Sequence, residues 1–131
     1  PNTLLTYYIQ DIGANPSEAI SQSLLLARRG VPAVVGPVFN EQVLAVNSVL
    51  AGETIPFNSY GASAVQLSNG TTYPSFFRTI TDDIFQARAM AETCRLFGWD
   101  FVAALFTTDF YGQSGRTSFL NQAGRNRIKV T

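Results

Sequence analysis

Apolar and polar positions along this chain follow two patterns, one typical of strands and one typical of helices. Short apolar runs lie at residues 4–10, 31–36, 55–60, 76–80, 101–108 and 128–130. These runs are rich in β-branched and aromatic residues, which predicts buried strands. Most of the segments between them carry apolar residues at helical spacing, which predicts amphipathic helices.

Four helices are predicted, and the first has the clearest start signal. Asn15 can cap it, Pro16 suits its first position, and it ends near Arg29. The other three are expected to begin at Asn40, at Asp82 or Asp83, and after a loop at residues 108–114. The order of strands and helices predicts an α/β fold with doubly wound, mainly parallel sheets and right-handed crossovers.

A long polar loop at residues 61–74 follows the third predicted strand and begins with three small residues, Gly61, Ala62 and Ser63. Open α/β sheets bind ligands where strands give way to loops at their carboxyl ends. Small residues at that corner allow a ligand to approach the backbone closely. The loop therefore predicts a ligand-binding site rather than a catalytic one.

Composition narrows the class of protein further. Hydrophobic residues make up 46% of the chain and charged residues 14%, which excludes a disordered chain. Nine basic and nine acidic residues give a net charge of +0, so the chain has no electrostatic footprint for nucleic acid. No apolar run approaches the roughly 20 residues that a membrane-spanning helix needs.

The chain lacks histidine and has one cysteine, Cys94. Without histidine there is no Ser–His pair and no usual general base or zinc ligand. A nucleotide-binding glycine motif is also missing. The adjacent carboxylates Asp82 and Asp83 would diverge and make a poor acid–base pair. We therefore expect no catalytic residues, no metal, no cofactor and no enzyme activity.

Four side chains are candidates for ligand contact, and each has a plainer alternative. Asn40 could help bind a carboxylate at a helix start, or could only cap the helix. The Ser63 hydroxyl could bind a ligand, or only close a turn. Asp83 could face a ligand ammonium, or could cap a helix in a box with Gln86. Tyr111, in the predicted loop, could stack on a ligand or cover apolar surface.

Residues 69–71, Asn-Gly-Thr, fit the acceptor pattern for N-glycosylation and lie in the polar loop. The pattern is short and is frequent by chance. Asn69 is therefore a possible glycosylation site on an extracellular surface.

Nine short strings spread over nearly the whole chain carry a family resemblance. They lie at residues 29–37, 55–56, 59–63, 67–68, 73–74, 76–79, 86–91, 97–99 and 111–112. Together they resemble the ligand-binding region of receptors with the periplasmic-binding-protein type I, or Venus flytrap, fold. Class C G-protein-coupled receptors, natriuretic-peptide-type receptors and bacterial amino-acid-binding proteins share this fold. The strings at 59–63, 67–69 and 76–79 are most similar to metabotropic glutamate and GABA type B receptors.

The resemblance implies a fragment of a two-lobed fold that closes on its ligand. Residues 1–80 would be part of lobe 1, and residues 81–131 the first crossover and the start of lobe 2. The ligand positions carried over from the family are Asn40, Gly61, Ala62 and Ser63 on lobe 1, with Asp83 and Tyr111 on lobe 2. Asn40 departs from the serine usual in glutamate and GABA receptors, whereas Gly61 departs from the serine of glutamate receptors but matches the GABA type. These departures bear on the identity of the ligand.

By this resemblance the chain is the extracellular ligand-binding region of a membrane receptor, with a transmembrane signalling domain attached. A small amino-acid-like ligand would close the lobes, and a dimer would form through lobe 1 helices at residues 17–29 and 40–51. Three consecutive leucines at 24–26 should leave at least one facing outward. The alternative is a soluble periplasmic amino-acid-binding protein of an ABC transporter. An enzyme with a doubly wound fold has no nucleophile–base pair to support it.

Overall fold

The structure is a computed structural model that describes residues 4–131. These residues form four α-helices and five short strands. In chain order they are α1 (Pro16–Arg28), β1 (Val34–Val35), α2 (Asn40–Leu50), β2 (Phe57–Ser59), β3 (Phe76–Arg78), α3 (Asp83–Leu96), β4 (Phe101–Val102), α4 (Phe110–Arg125) and β5 (Lys129–Val130). A 3₁₀ helix, Val65–Ser68, lies between β2 and β3.

Both sheets are parallel, which confirms the predicted α/β fold class. The first has the order β1-β2-β3, with Val34 opposite Phe57 and Phe57 opposite Phe76. The second pairs β4 with β5. Parallel neighbours require a crossover, and α2 and α4 supply it for β1–β2 and β4–β5.

The first sheet has its own apolar core, which includes one residue of α1 and most of the inward face of α2. Its buried members are Ala19, Val43, Val46, Leu50, Phe57, Ala62, Ala64, Leu67 and Phe76. The Phe57 and Phe76 rings lie 5.4 Å apart in a tilted arrangement, a geometry that adds stability beyond the area buried. Neighbouring α1 packs against α2.

The second sheet has a separate core between α3, α4 and β5. Its buried members are Ala87, Ala91, Cys94, Phe119, Ala123 and Ile128. Helix α3 packs against α4. Most of these residues are small, so the two helices approach each other closely and Phe119 supplies the largest buried side chain.

The predicted starts of α1, α2 and α3 are correct, and a predicted side chain caps two of these helices. Asn15 caps α1, because its Oδ1 accepts a hydrogen bond from the Ser17 N–H at 2.9 Å. Of the two aspartates proposed for α3, Asp82 is the cap, and its Oδ1 accepts from the N–H groups of Ile84 and Phe85. A cap side chain satisfies N–H groups that the helix leaves without a partner.

The predicted strand at residues 4–10 is wrong for the described structure. These residues have no strand geometry, and Leu4, Leu5 and Ile9 are more than four-fifths exposed. A cavity of about 780 Å³ lies between this segment, α1 and β1. A strand exists only where a second backbone pairs with it, and no other described strand reaches residues 4–10.

The predicted fifth strand is shorter than expected, and the predicted loop after it is partly helical. Strand β4 covers only Phe101–Val102, and α4 begins at Phe110, inside the segment 108–114. The reason is local, since the Asp109 Oδ1 accepts from the Gly112 N–H at 2.8 Å and caps α4. Tyr111 therefore lies in the first turn of a helix and not in a loop.

Candidate functional site

The corner after β2 is held in shape by Ser59, which is fully buried. Its hydroxyl donates to the Pro37 carbonyl at 2.6 Å and accepts from the N–H groups of Gly61 at 3.3 Å and Ala62 at 3.0 Å. These bonds fasten the corner to the segment before α2. We did not identify Ser59 as a functional position from the sequence, although a serine two residues before a glycine is a turn signal.

Gly61 and Ala62 shape this corner by their small size. A Cβ atom on Gly61 would lie 2.6 Å from Cγ1 of Val38 and 3.0 Å from the Val38 carbonyl oxygen. Ala62 is fully buried in the first core. Both residues therefore serve the packing of the corner in this structure, and the Ala62 side chain is not exposed to a ligand.

Asn40 does not cap α2, so that interpretation is wrong. The cap position belongs to Phe39, and Asn40 is the first residue of the helix. Its buried side chain turns to the corner instead, where Oδ1 accepts from the Ala64 N–H at 3.1 Å. Its amide nitrogen is buried and has no hydrogen-bond partner.

Ser63 is 1% exposed, and its hydroxyl has no hydrogen-bond partner. The hydroxyl therefore does not close a turn, which was the plainer alternative. The Ser63 carbonyl accepts a hydrogen bond from the Asp83 N–H at 2.9 Å. This contact joins the corner after β2 directly to the start of α3.

Asp83 is the first residue of α3 and is 4% exposed. It does not cap the helix, because Asp82 does, and Gln86 donates to the Thr81 carbonyl at 3.4 Å instead of completing a capping box. The Asp83 Oδ2 accepts a hydrogen bond from the Ser114 hydroxyl of α4. Ser114 was not predicted, and no local pattern around it would have identified it.

Tyr111 shares a cavity with Asp83. The cavity has a volume of about 280 Å³ and lies between α3, the segment 105–107 and the first turns of α4. Tyr111 is half exposed there. Gly112 also lines this cavity, and a Cβ atom on it would overlap the Thr107 carbonyl oxygen, so α4 and the segment before it are in close contact.

Arg78 at the end of β3 fastens the corner to α3. Its guanidinium donates to the Ala64 carbonyl at 3.2 Å and to the Ser68 hydroxyl, and it forms an ion pair with Asp82 at 3.3 Å. A second link runs from Glu41 of α2, whose Oε1 accepts from the Phe110 N–H at 3.1 Å.

The structure thus brings most of the predicted site residues together in two groups that touch. Asn40, Gly61, Ala62 and Ser63 form one corner, and Asp83 meets it through the Ser63 carbonyl. Tyr111 adjoins Asp83 through their shared cavity, and within the described residues it makes no hydrogen bond to the corner. The arrangement combines buried donors on one side with a carboxylate and an aromatic ring on the other.

Residues 4–131 offer neither a metal-binding cluster nor a membrane-spanning helix. No group of three or more His, Cys, Asp and Glu side chains among them is placed to hold a metal ion. None of the helices described is long and apolar enough to cross a membrane. Cys94 is free and buried in the second core.

Comparison with known proteins gives a consistent result. Residues 1–131 match the family described as the receptor family ligand binding region. Taste receptor type 1 member 3 of the dog is 36% identical over 132 residues, and so is the human protein of that name, with 88% of this chain and 16% of each relative covered. Human taste receptor type 1 member 1 is 30% identical over 131 residues, with the same coverage.

The chain therefore spans about a sixth of the length of these relatives. They are receptors and not enzymes, which confirms the prediction that the chain is not an enzyme. They are also class C G-protein-coupled receptors, which confirms the resemblance to class C ligand-binding regions. Because the family match covers every residue, this chain belongs to the receptor family ligand binding region.

Proposed function

We propose that the chain is part of the extracellular ligand-binding region of a membrane receptor, and that this region closes on a small amino-acid-like ligand to signal. In this proposal residues 1–80 are part of lobe 1 and residues 81–131 are the first crossover and the start of lobe 2. The separate cores around the two sheets support that division.

The observation that carries the proposal is the pair of unsatisfied donors at the corner after β2. The Ser63 hydroxyl and the Asn40 amide nitrogen are buried without partners, whereas buried polar groups in native proteins nearly always have one. A ligand carboxylate offers acceptors to both donors. The Asp83 backbone N–H binds the Ser63 carbonyl, and the Asp83 carboxylate, which accepts from the Ser114 hydroxyl, could pair with a ligand ammonium.

Burial of these groups supports a mechanism that includes opening. Ser63 and Asp83 are 1% and 4% exposed, so a ligand could reach them only after the corner and α3 separate. A ligand that contacts both sides would then favour the closed state, because it binds that state more tightly than the open one. Tyr111 is half exposed and lines the same cavity as Asp83. In this proposal the two residues form the side of the ligand site that lobe 2 contributes.

A dimer through lobe 1 helices is part of the proposal. Leu24 and Leu25 of α1 are 41% and 37% exposed, in agreement with the expectation that at least one leucine faces outward. Exposed leucines on a helix surface suit a protein contact. The second helix proposed for the contact is α2.

The relatives favour a membrane receptor over a periplasmic binding protein. Those compared are named as taste receptors, and a receptor of that class signals through a membrane domain outside this chain. An amino-acid-like ligand remains our proposal, since the names of these relatives state no ligand.

A binding experiment on the complete ectodomain tests the proposal. Thermal unfolding would be measured with a panel of amino acids, GABA and related small acids. A ligand at 100 times its dissociation constant should add about 2.7 kcal/mol to the free energy of unfolding. Ser63→Ala should weaken binding of that ligand about tenfold or more, because a hydrogen bond to a charged group is worth about 1.5–3 kcal/mol.

Ser23→Ala is the matched control. Ser23 is also buried, but its hydroxyl donates to the Ala19 carbonyl within α1, so its loss should lower stability and leave affinity unchanged. Equal affinity of the wild type and the Ser63→Ala variant would show that the Ser63 hydroxyl does not bind the ligand. Absence of any stabilising ligand in the panel would contradict an amino-acid-like ligand.

A further inference from the structure

Asn69 lies in an acceptor pattern that the ligand site does not use. Residues 69–71 read Asn-Gly-Thr, the pattern that N-glycosylation requires. Elsewhere in the chain, Asn15 is followed by proline and serine, and proline in the middle position blocks the modification. Asn69 is therefore the one asparagine in the sequence with an acceptable pattern.

The local structure leaves the Asn69 amide nitrogen available. Asn69 lies just after the 3₁₀ helix and is exposed, as are Gly70 and Thr71. Its Oδ1 accepts from the N–H groups of Thr71 at 3.1 Å and Thr72 at 3.2 Å. Within the described residues its amide nitrogen donates no hydrogen bond, so the side chain is oriented through its oxygen while the nitrogen stays free.

There is also room for a large group at this position. A Cβ atom added at Gly70 would meet nothing within 4 Å, and the neighbouring residues on both sides are exposed. An oligosaccharide is bulky and must project into solvent. Asn69 belongs neither to a core nor to the corner that holds Ser63.

We propose that Asn69 carries an N-linked oligosaccharide. This inference rests on the proposed function, since an extracellular receptor passes through the compartment where the modification occurs. The co-substrate is a lipid-diphosphate-linked oligosaccharide. The Asn69 amide nitrogen forms a bond to C1 of its first sugar and loses a proton, while the bond from C1 to the diphosphate oxygen breaks and the lipid diphosphate leaves.

The modification would also decide which surfaces can form contacts. A glycan at Asn69 would cover the turn at residues 69–72 and its surroundings, so a second receptor subunit could not pack on that face. The exposed leucines of α1 lie in a different element. Asn69 belongs to neither α1 nor α2, the two helices of the proposed dimer contact.

Mass spectrometry of the full-length receptor from eukaryotic cells tests the proposal, with surface labelling on the same sample. We expect a glycopeptide that contains Asn69, its complete loss in Asn69→Gln and Thr71→Ala, and its retention in Thr71→Ser. Thr71→Ala removes the required hydroxyl but keeps the backbone N–H that binds Oδ1, so it separates glycan loss from disruption of the turn.

The outcomes distinguish this proposal from the proposed function. A receptor that reaches the cell surface and binds its ligand with Asn69 unmodified would overturn the glycosylation site and leave the function intact. A receptor that neither reaches the surface nor carries a glycan at Asn69 would contradict both, and surface labelling together with the glycopeptide analysis identifies that case. Pro16→Ala is a positive control, because it creates a second acceptor pattern at Asn15.

Discussion

The two halves of the chain are built alike but packed differently. Each has a pair of contacting helices and a parallel sheet. The first core contains the large buried side chains of Phe57, Leu50 and Val43, and buried polar side chains such as Gln42 and Ser59 lie beside it. Half of the buried residues in the second core are alanines, and its largest member is Phe119.

This difference suggests different mechanical roles for the two walls of the proposed site. The corner after β2 is fixed by the three hydrogen bonds of Ser59 and by Asn40. The wall with Asp83 and Tyr111 borders a cavity. Fewer apolar contacts mean a lower free energy of local opening, so we expect the second half to open first.

Among these substitutions, truncation of the largest core side chain in each half should lower the free energy of unfolding the most. Phe57→Ala removes a ring that is 1% exposed and contacts Phe76, and we expect a loss of about 4 kcal/mol in the free energy of unfolding. Phe119→Ala should cost about 3 kcal/mol. Urea unfolding of the complete ectodomain, with hydrogen exchange to locate the loss, measures both.

Phe77→Ala is the control, because Phe77 lies in β3, the strand that pairs with that of Phe57, but is 58% exposed. It should cost less than about 1 kcal/mol. A larger loss from Phe119→Ala than from Phe57→Ala would mean that the second core is the more tightly packed, and it would reverse the comparison.

Addition of a methyl group tests the close contact at the start of α4. Gly112→Ala forces a Cβ atom into the Thr107 carbonyl, and overpacking of this kind costs about 1–3 kcal/mol. Gly124 lies in the same helix, where an added Cβ meets nothing within 4 Å. Gly124→Ala should therefore raise stability by about 0.5–1 kcal/mol. Thermal unfolding of the two variants should show opposite signs, and equal signs would disprove the contact.

Asp82 allows the cap of α3 to be separated from the ion pair that joins the halves. Asp82→Ala removes both and should cost about 1–2 kcal/mol. Asp82→Asn keeps a good cap but loses the charge opposite Arg78, so it should cost less than about 1 kcal/mol. Hydrogen exchange at Ile84 and Phe85 would report the cap, and equal losses in both variants would assign the whole effect to the charge.

Acid should lower the stability of the second half, by less than the substitutions above. A hydrogen bond from the Thr107 hydroxyl, and a second from the Gly112 N–H, lower the pKa of Asp109 below its ordinary value. Hydrogen bonds from the Arg95 and Asn126 side chains, the first contributing more, lower the pKa of Glu92. A carboxyl group with a lowered pKa in the folded state stabilises the protein above its ordinary pKa, and the contribution is lost as pH falls through the lowered value.

Hydrogen exchange in α4 at neutral pH and at about pH 3 measures this effect. Asp109→Asn retains a cap without a titratable group, so its α4 should depend less on pH than that of the wild type. An unchanged dependence in this variant would exclude Asp109 as a source of the effect.

Helix starts and the fold class could be predicted because their signals are local. Asn15, Pro16 and Asp82 act within a few residues of their own position. The strand ends could not be predicted, since an apolar run does not reveal how far a partner backbone extends. Residues 4–10 have the composition of a strand and no described partner.

The corner was predicted as a location, but its internal contacts were not. Ser59 binds the carbonyl of Pro37, which is 22 residues away in sequence, and Asp83 binds Ser114, which is 31 residues away. Such partners depend on how α2 and α4 pack, which a single sequence does not specify. Asn40 was placed one residue from its actual position because asparagine is a preferred cap residue, whereas Phe39 occupies the cap position here.

The unpaired side of β1 has a consequence for how this chain behaves in solution. Within the described residues β1 pairs with β2 alone, and Val35 is 80% exposed beside the apolar segment 4–10. An apolar strand edge with free N–H and C=O groups is a template for pairing with another chain. Residues 1–131 produced in isolation should therefore aggregate through this edge as their concentration rises, and a charged residue in place of Val35 should keep them dispersed.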